Sequence, residues 1–97
     1  MKRTFPAEQA LVLAISDSEY AQTLVNLHYQ LSYMNSLEDA SLAIQESVDL
    51  YHQLAINHPP AFNADLAESL YHLSKSLSQV GYHARALEVI QESVDLR

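Results

Sequence analysis

Ile44-Gln45-Glu46-Ser47-Val48-Asp49-Leu50 occurs a second time, letter for letter, as Ile90-Gln91-Glu92-Ser93-Val94-Asp95-Leu96. The chain repeats with a period of 46 residues. A fixed period of tens of residues marks an architecture that stacks one supersecondary unit on the next. Aligned on this stretch, 17–51 and 63–97 agree at 13 of 35 positions. The agreements outside it are Ala21, Leu24, Leu27, Leu31, Ser32 and Ala40, five of them apolar and held at helical spacing, so the repeat is structural.

The composition fits helices throughout. Of 97 residues 48% are apolar, while one glycine (Gly81) and three prolines (Pro6, Pro59, Pro60) leave few places where a helix must stop. The length is that of one domain. Without cysteine the chain has no disulfide, thiolate metal site or cysteine nucleophile, which fits a reducing, cytoplasmic setting. Twelve acidic residues against five scattered basic ones (Lys2, Arg3, Lys75, Arg85, Arg97) give a formal charge of −7, and no basic footprint for nucleic acid results. Met1-Lys2-Arg3 followed by Ala10-Leu11-Val12-Leu13-Ala14-Ile15 has the outline of a secretory leader, but the apolar run is short and Pro6, Glu8 and Gln9 interrupt its approach. No stretch nears the ~20 apolar residues of a membrane span.

Along the chain, residues 1–16 read as an N-terminal capping segment, with a short helix over 6–15 opened by Pro6 and carrying Glu8 in its first turn. Ser16 and Asp17 are expected to break it, Ser16-x-x-Glu19 having the form of a capping box. The first repeat, 17–62, begins with a helix whose Tyr20, Leu24, Leu27 and Leu31 share one face. Asn35 and its counterpart Gly81 are the residue types that best take the left-handed conformation closing a helix, and Ser36 is placed to cap the next one. That second helix, about 37–56, carries Ala40, Ile44, Ser47, Val48 and Tyr51 on one side. Asn57-His58-Pro59-Pro60 ends it. The second repeat, 63–97, opens with Asn63 as a cap, places Leu66, Leu70, Leu73 and Leu77 where the first repeat has its apolar face, and closes with a shortened second helix carrying Ala86, Ile90, Ser93 and Val94.

Leu24/Leu70, Leu27/Leu73, Leu31/Leu77, Ala40/Ala86 and Ile44/Ile90 stand at the intervals of the tetratricopeptide repeat, which the chain resembles over 17–97. It departs from the pattern where His28 and Ser74 replace the usual glycine, in lacking a tryptophan, and in its longer period. In these respects it is similar to the long repeats of kinesin light chain and to multi-repeat arrays common in fungal proteins. The resemblance implies an all-α fold: a right-handed stack of antiparallel helical hairpins, a tetratricopeptide-like α-solenoid of about five helices. It also implies that first helices line a concave groove for extended peptides. Val25, Asn26, Tyr29 and Ser32 of the first repeat, and Tyr71, His72, Lys75 and Ser78 of the second, would face that groove. Only Asn26 and Lys75 could clamp a terminal carboxylate, so Tyr29, Tyr71 and His72 beside one lysine suit stacking and side-chain hydrogen bonding better. The alternative for these residues is a solvated helix face.

No other constellation carries chemistry. The five histidines never fall four apart, so no helix offers a ready metal pair, and no metal or cofactor is expected. One glycine cannot build a phosphate loop or nucleophile elbow. Glu46 with Asp49, and Glu92 with Asp95, read as solubilising carboxylates rather than catalytic pairs, and the chain is not expected to be an enzyme. Two functions remain: a protein or peptide interaction module of scaffold type, and a self-association module. The second arises because Ile90 and Val94 have no successor helix to cover them, which fits either a homo-oligomer formed through the C-terminal helix or a fragment of a longer array.

Overall fold

The computed structural model describes the backbone of residues 6–96 and the side chains of residues 16–96. Four α-helices account for the described residues, and no strand is among them: α1 (Pro6–Tyr33), α2 (Leu37–Asn57), α3 (Pro59–Gln79) and α4 (His83–Asp95). The expected five helices become four because no break occurs at Ser16 and Asp17. Serine and aspartate cost a helix interior only tenths of a kcal/mol each, and with no proline or glycine from Ala7 to Met34 the helix propagates through them. The capping box at Ser16 therefore does not form. The side chains of the expected capping helix over 6–15 lie outside the described residues.

Both hairpin turns are built alike. Asn35 has φ 62° and Gly81 φ 97°. Around Asn35, the Ser36 N–H donates to the Leu31 carbonyl (2.8 Å) and the Asn35 N–H to that of Ser32 (3.0 Å). Around Gly81, the Tyr82 N–H donates to Leu77 (2.9 Å) and the Gly81 N–H to Ser78 (3.2 Å). These paired bonds are the Schellman closure, which satisfies carbonyls the helix end leaves free. Ser36 stands at the start of α2, as expected, yet its side chain makes no capping bond. A different junction joins α2 to α3. His58 alone separates them, its N–H on the Leu54 carbonyl (2.8 Å) and its own carbonyl accepting from Ala61 (3.1 Å) and Phe62 (3.2 Å). Pro59 and Pro60 open α3 rather than forming a linker, since they lack only N–H groups that a first turn leaves unpaired. Asn63 is consequently inside α3 and caps nothing.

Consecutive helices pack in chain order, α1 on α2, α2 on α3 and α3 on α4. Contacts His28–Ala40 and Ala21–Ser47 converge on the first turn, as an antiparallel hairpin requires, and Ala67–Ser93 repeats the second of them around the other turn. The core joins Ala21, Val25, Ile44, Val48, Tyr51, Leu54, Leu66, Leu70, Leu73, Leu77 and Ala86. Of the four residues expected on the apolar face of α1, Leu24 is buried and Leu31 half-buried, while Tyr20 is 49% exposed and Leu27 46%. Their copies Leu66 and Leu73 are 4% and 2% exposed. The difference is positional, because α3 packs closely on both α2 and α4, while among the described residues α1 packs closely on α2 alone and meets α3 only through side chains.

Candidate functional site

Helices two apart also touch through side chains, and the contact between α1 and α3 gathers the more varied chemistry. One turn of α1 supplies His28 and Tyr29, and one turn of α3 supplies Tyr71, His72 and Lys75. The Tyr29 hydroxyl and His72 Nε2 are hydrogen-bonded at 2.8 Å, with the rings edge to face at 5.2 Å. His28 lies 5.9 Å from His72 and Tyr71 5.6 Å from it, ring centre to ring centre. The Lys75 ammonium sits 5.5 Å over the Tyr71 ring, within cation–π range. The i, i+4 spacing of Tyr71 and Lys75 on one helix makes that contact local.

His72 is the hinge of the cluster, its side chain only 15% exposed. Burial holds its pKa below the ordinary histidine value, and the neighbouring His28 and Lys75 act in the same direction against the opposing pull of Glu68. His28 is more deeply buried at 6%, its Nδ1 3.0 Å from the Ala40 carbonyl, where it joins α1 to α2. On the other flank, burial and then Glu68 raise the pKa of Asp65. Tyr51, buried below, is pushed up to about 12, first by burial and then by Asp65 and Glu68.

The eight residues expected to line a groove divide by position. Tyr29, Tyr71, His72 and Lys75 are brought together. Asn26 is exposed and accepts from the Gln22 amide at 3.3 Å, one turn before the cluster. Ser32 borders a shallow hollow of about 150 Å³ with His28, Tyr29, His72, Lys75 and Gln79. Ser78 turns to the second hairpin, its hydroxyl 3.3 Å from His83 Nδ1. Val25 faces inward at 7% exposure and belongs to the core.

Contributions that the sequence pattern left unassigned are His28, Asp65 and Glu68 around the cluster, and the link between His52 and Glu92 that ties α2 to α4. The spacing of Glu68 and His72 on one helix, whose side-chain atoms approach to 3.9 Å, was the one readable signal among them.

The hollow beside the cluster is smaller than the several hundred Å³ that enclose a small molecule or cofactor. A larger one of about 550 Å³ lies where α2, α3 and the start of α4 meet, lined by Leu42, Leu73, Leu77 and Val80 and by Glu38, Ser41, Gln45, Tyr82 and Arg85, the Arg85 guanidinium donating to the Gln45 amide oxygen at 2.9 Å. Among the described residues no group of histidines and carboxylates is placed to hold a metal ion, and no helix is long and apolar enough to cross a membrane. No family model, curated protein or solved structure matches the chain.

Proposed function

We propose that this chain is a non-catalytic interaction module of the tetratricopeptide type, which holds an extended peptide from a partner protein along the surface shared by α1 and α3. The observation that carries the reading is the continuous strip Tyr29–His72–Tyr71–Lys75, formed by residues from two repeats and partly open to solvent, with Tyr29 46% and Tyr71 41% exposed. Half-exposed tyrosines anchored at their edges present flat, rigid faces to a ligand at low entropic cost. Lys75 adds one cation that a peptide carboxylate or backbone carbonyl can meet. The ends of α1 and α3, and the starts of α2 and α4, are offset by 46 residues, which supports the reading of two similarly built hairpins.

Selection from a displayed random-peptide library, followed by titration of enriched peptides against the protein and its Tyr71→Ala/Lys75→Ala variant, tests this. Removing both side chains is expected to weaken binding by about tenfold or more, as loss of interface anchors does. A library that yields no binder, or binders indifferent to the two substitutions, would sink the proposal. The second reading, self-association, rests on a different observation: Leu87 and Val94 on α4 are 70% and 59% exposed.

A further inference from the structure

The two ends of the molecule carry the two halves of an interface that its middle has already assembled. Within the chain, α3 seats on α2. Along that joint α3 buries Leu66, Ser69, Leu73, Ser76 and Leu77, all at most 7% exposed, with Leu73 and Leu77 bordering a hollow shared with Ser41, Leu42 and Gln45 of α2. From α2 the joint uses Ile44 and Val48, 0% and 1% exposed, with half-buried Ser41 hydrogen-bonded at 2.8 Å to Ser76. One period earlier, the corresponding positions on α1 are Tyr20, Thr23, Leu27, Gln30 and Leu31, of which Tyr20 and Leu27 are 49% and 46% exposed. Met34, in the place of Val80, is 69% exposed. One period later, the corresponding positions on α4 are Leu87, Ile90 and Val94: Leu87 and Val94 stand 70% and 59% exposed and Ile90 is half-buried.

From this correspondence we infer that α1 of one copy docks on α4 of another in the way α3 docks on α2, so that copies associate head to tail. The occupant is a second copy of this chain, because α1 presents the same kind of surface that α2 accepts inside the molecule. Carrying each internal contact across by one period gives the pairs the joint would form. The Tyr29–His72 bond becomes Lys75 of the first copy beside Asn26 of the second. The Arg85–Gln45 bond becomes Gln91 beside Asp39, a donor amide facing a carboxylate. The Ser41–Ser76 contact becomes Leu87 beside Gln30, flanked by Leu27 and Met34. None of these pairs sets like charges together. Because the two surfaces differ, the contact is heterologous and does not close at two copies.

Sedimentation velocity over a concentration series, on the wild-type chain and the Leu27→Glu and Leu87→Glu variants, tests the inference independently of peptide binding. The wild type is expected to gain mass with concentration without stopping at a dimer. Each variant alone loses about tenfold or more in association, since a carboxylate is driven into an apolar joint. Both positions are exposed, so the variants keep their fold, which circular dichroism verifies. Mixing the two variants restores a joint between the intact α4 of one and the intact α1 of the other, and heterodimers appear. Loss with Leu87→Glu but not with Leu27→Glu would mean a symmetric α4-to-α4 dimer and overturn the inference. So would a wild type that stays monomeric throughout, which leaves the α4 face to some other helix.

Discussion

Ser47 and Ser93 are buried in apolar surroundings, yet each hydroxyl donates to a carbonyl on the facing helix, Ala21 at 2.9 Å and Ala67 at 2.7 Å. A buried hydroxyl so paired costs little, and among the described residues no buried side-chain nitrogen or oxygen lacks a partner. Glu46 and Glu92, identical in sequence, diverge: Glu46 accepts from the Tyr20 hydroxyl at 2.9 Å, and Glu92 pairs with His52. His72 gives a prediction at this scale. Tyr29 and His28 face it from α1, and Glu68 and Lys75 flank it on α3. Its pKa is lowered in the fold, so the unfolded chain binds the proton more readily. The stability due to neutral His72 is therefore full above its unfolded value of 6.5 and lost as pH falls through the lower folded one. Urea midpoints measured from pH 7 to pH 5 should fall more steeply for the wild type than for His72→Asn, which installs the residue of the first repeat. Equal slopes would contradict this origin.

At the scale of elements, the turns were legible because a left-handed residue is a local backbone requirement that the residue type announces. Asn35 and Gly81 meet it at φ 62° and 97°. A Cβ built on Gly81 would meet no atom within 4 Å, so substitution there costs only backbone conformation. Gly81→Ala should lower the unfolding free energy by about 1–2 kcal/mol, and Gly81→Asn by clearly less, as read from chemical denaturation. A Gly81→Ala protein as stable as the wild type would show that the turn had re-formed in another way. The helix boundaries at 16–17 and 57–63 were less legible, for a shared reason. Serine, aspartate, asparagine and proline all serve both at helix ends and elsewhere in a first turn or an interior, and the choice depends on whether the neighbouring turns are already helical. Hence α1 runs through Ser16 and Asp17, and α3 begins at Pro59 rather than after Asn63.

For the whole molecule, place in the stack outweighs residue identity. Leu27 and Leu73 occupy one position of the repeat, and their exposures are 46% and 2%. Leu73→Ala should cost about 2–5 kcal/mol, the range for emptying a packed core site. Leu27→Ala should cost no more than about 1 kcal/mol in dilute solution, where the monomer prevails. Thermal or urea unfolding of the two variants side by side measures the difference, and similar losses would mean that α1 is covered in solution. The candidate site follows the same division. That Tyr71 and Lys75 share a face could be read from their spacing, and so could their alignment with Val25 and Tyr29. That Tyr29 reaches across to His72 while Val25 turns into the core could not.

By itself the sequence determined the helical class, the 46-residue period and the two left-handed turns, since each rests on backbone preferences and spacings contained within a few residues or on plain self-identity. Only the tertiary structure decided which copies of the repeated side chains are buried, that α1 runs unbroken, and that a tyrosine of one repeat meets a histidine of the next. Burial belongs to a pair of surfaces, and the second surface is contributed by residues tens of positions away, or by none.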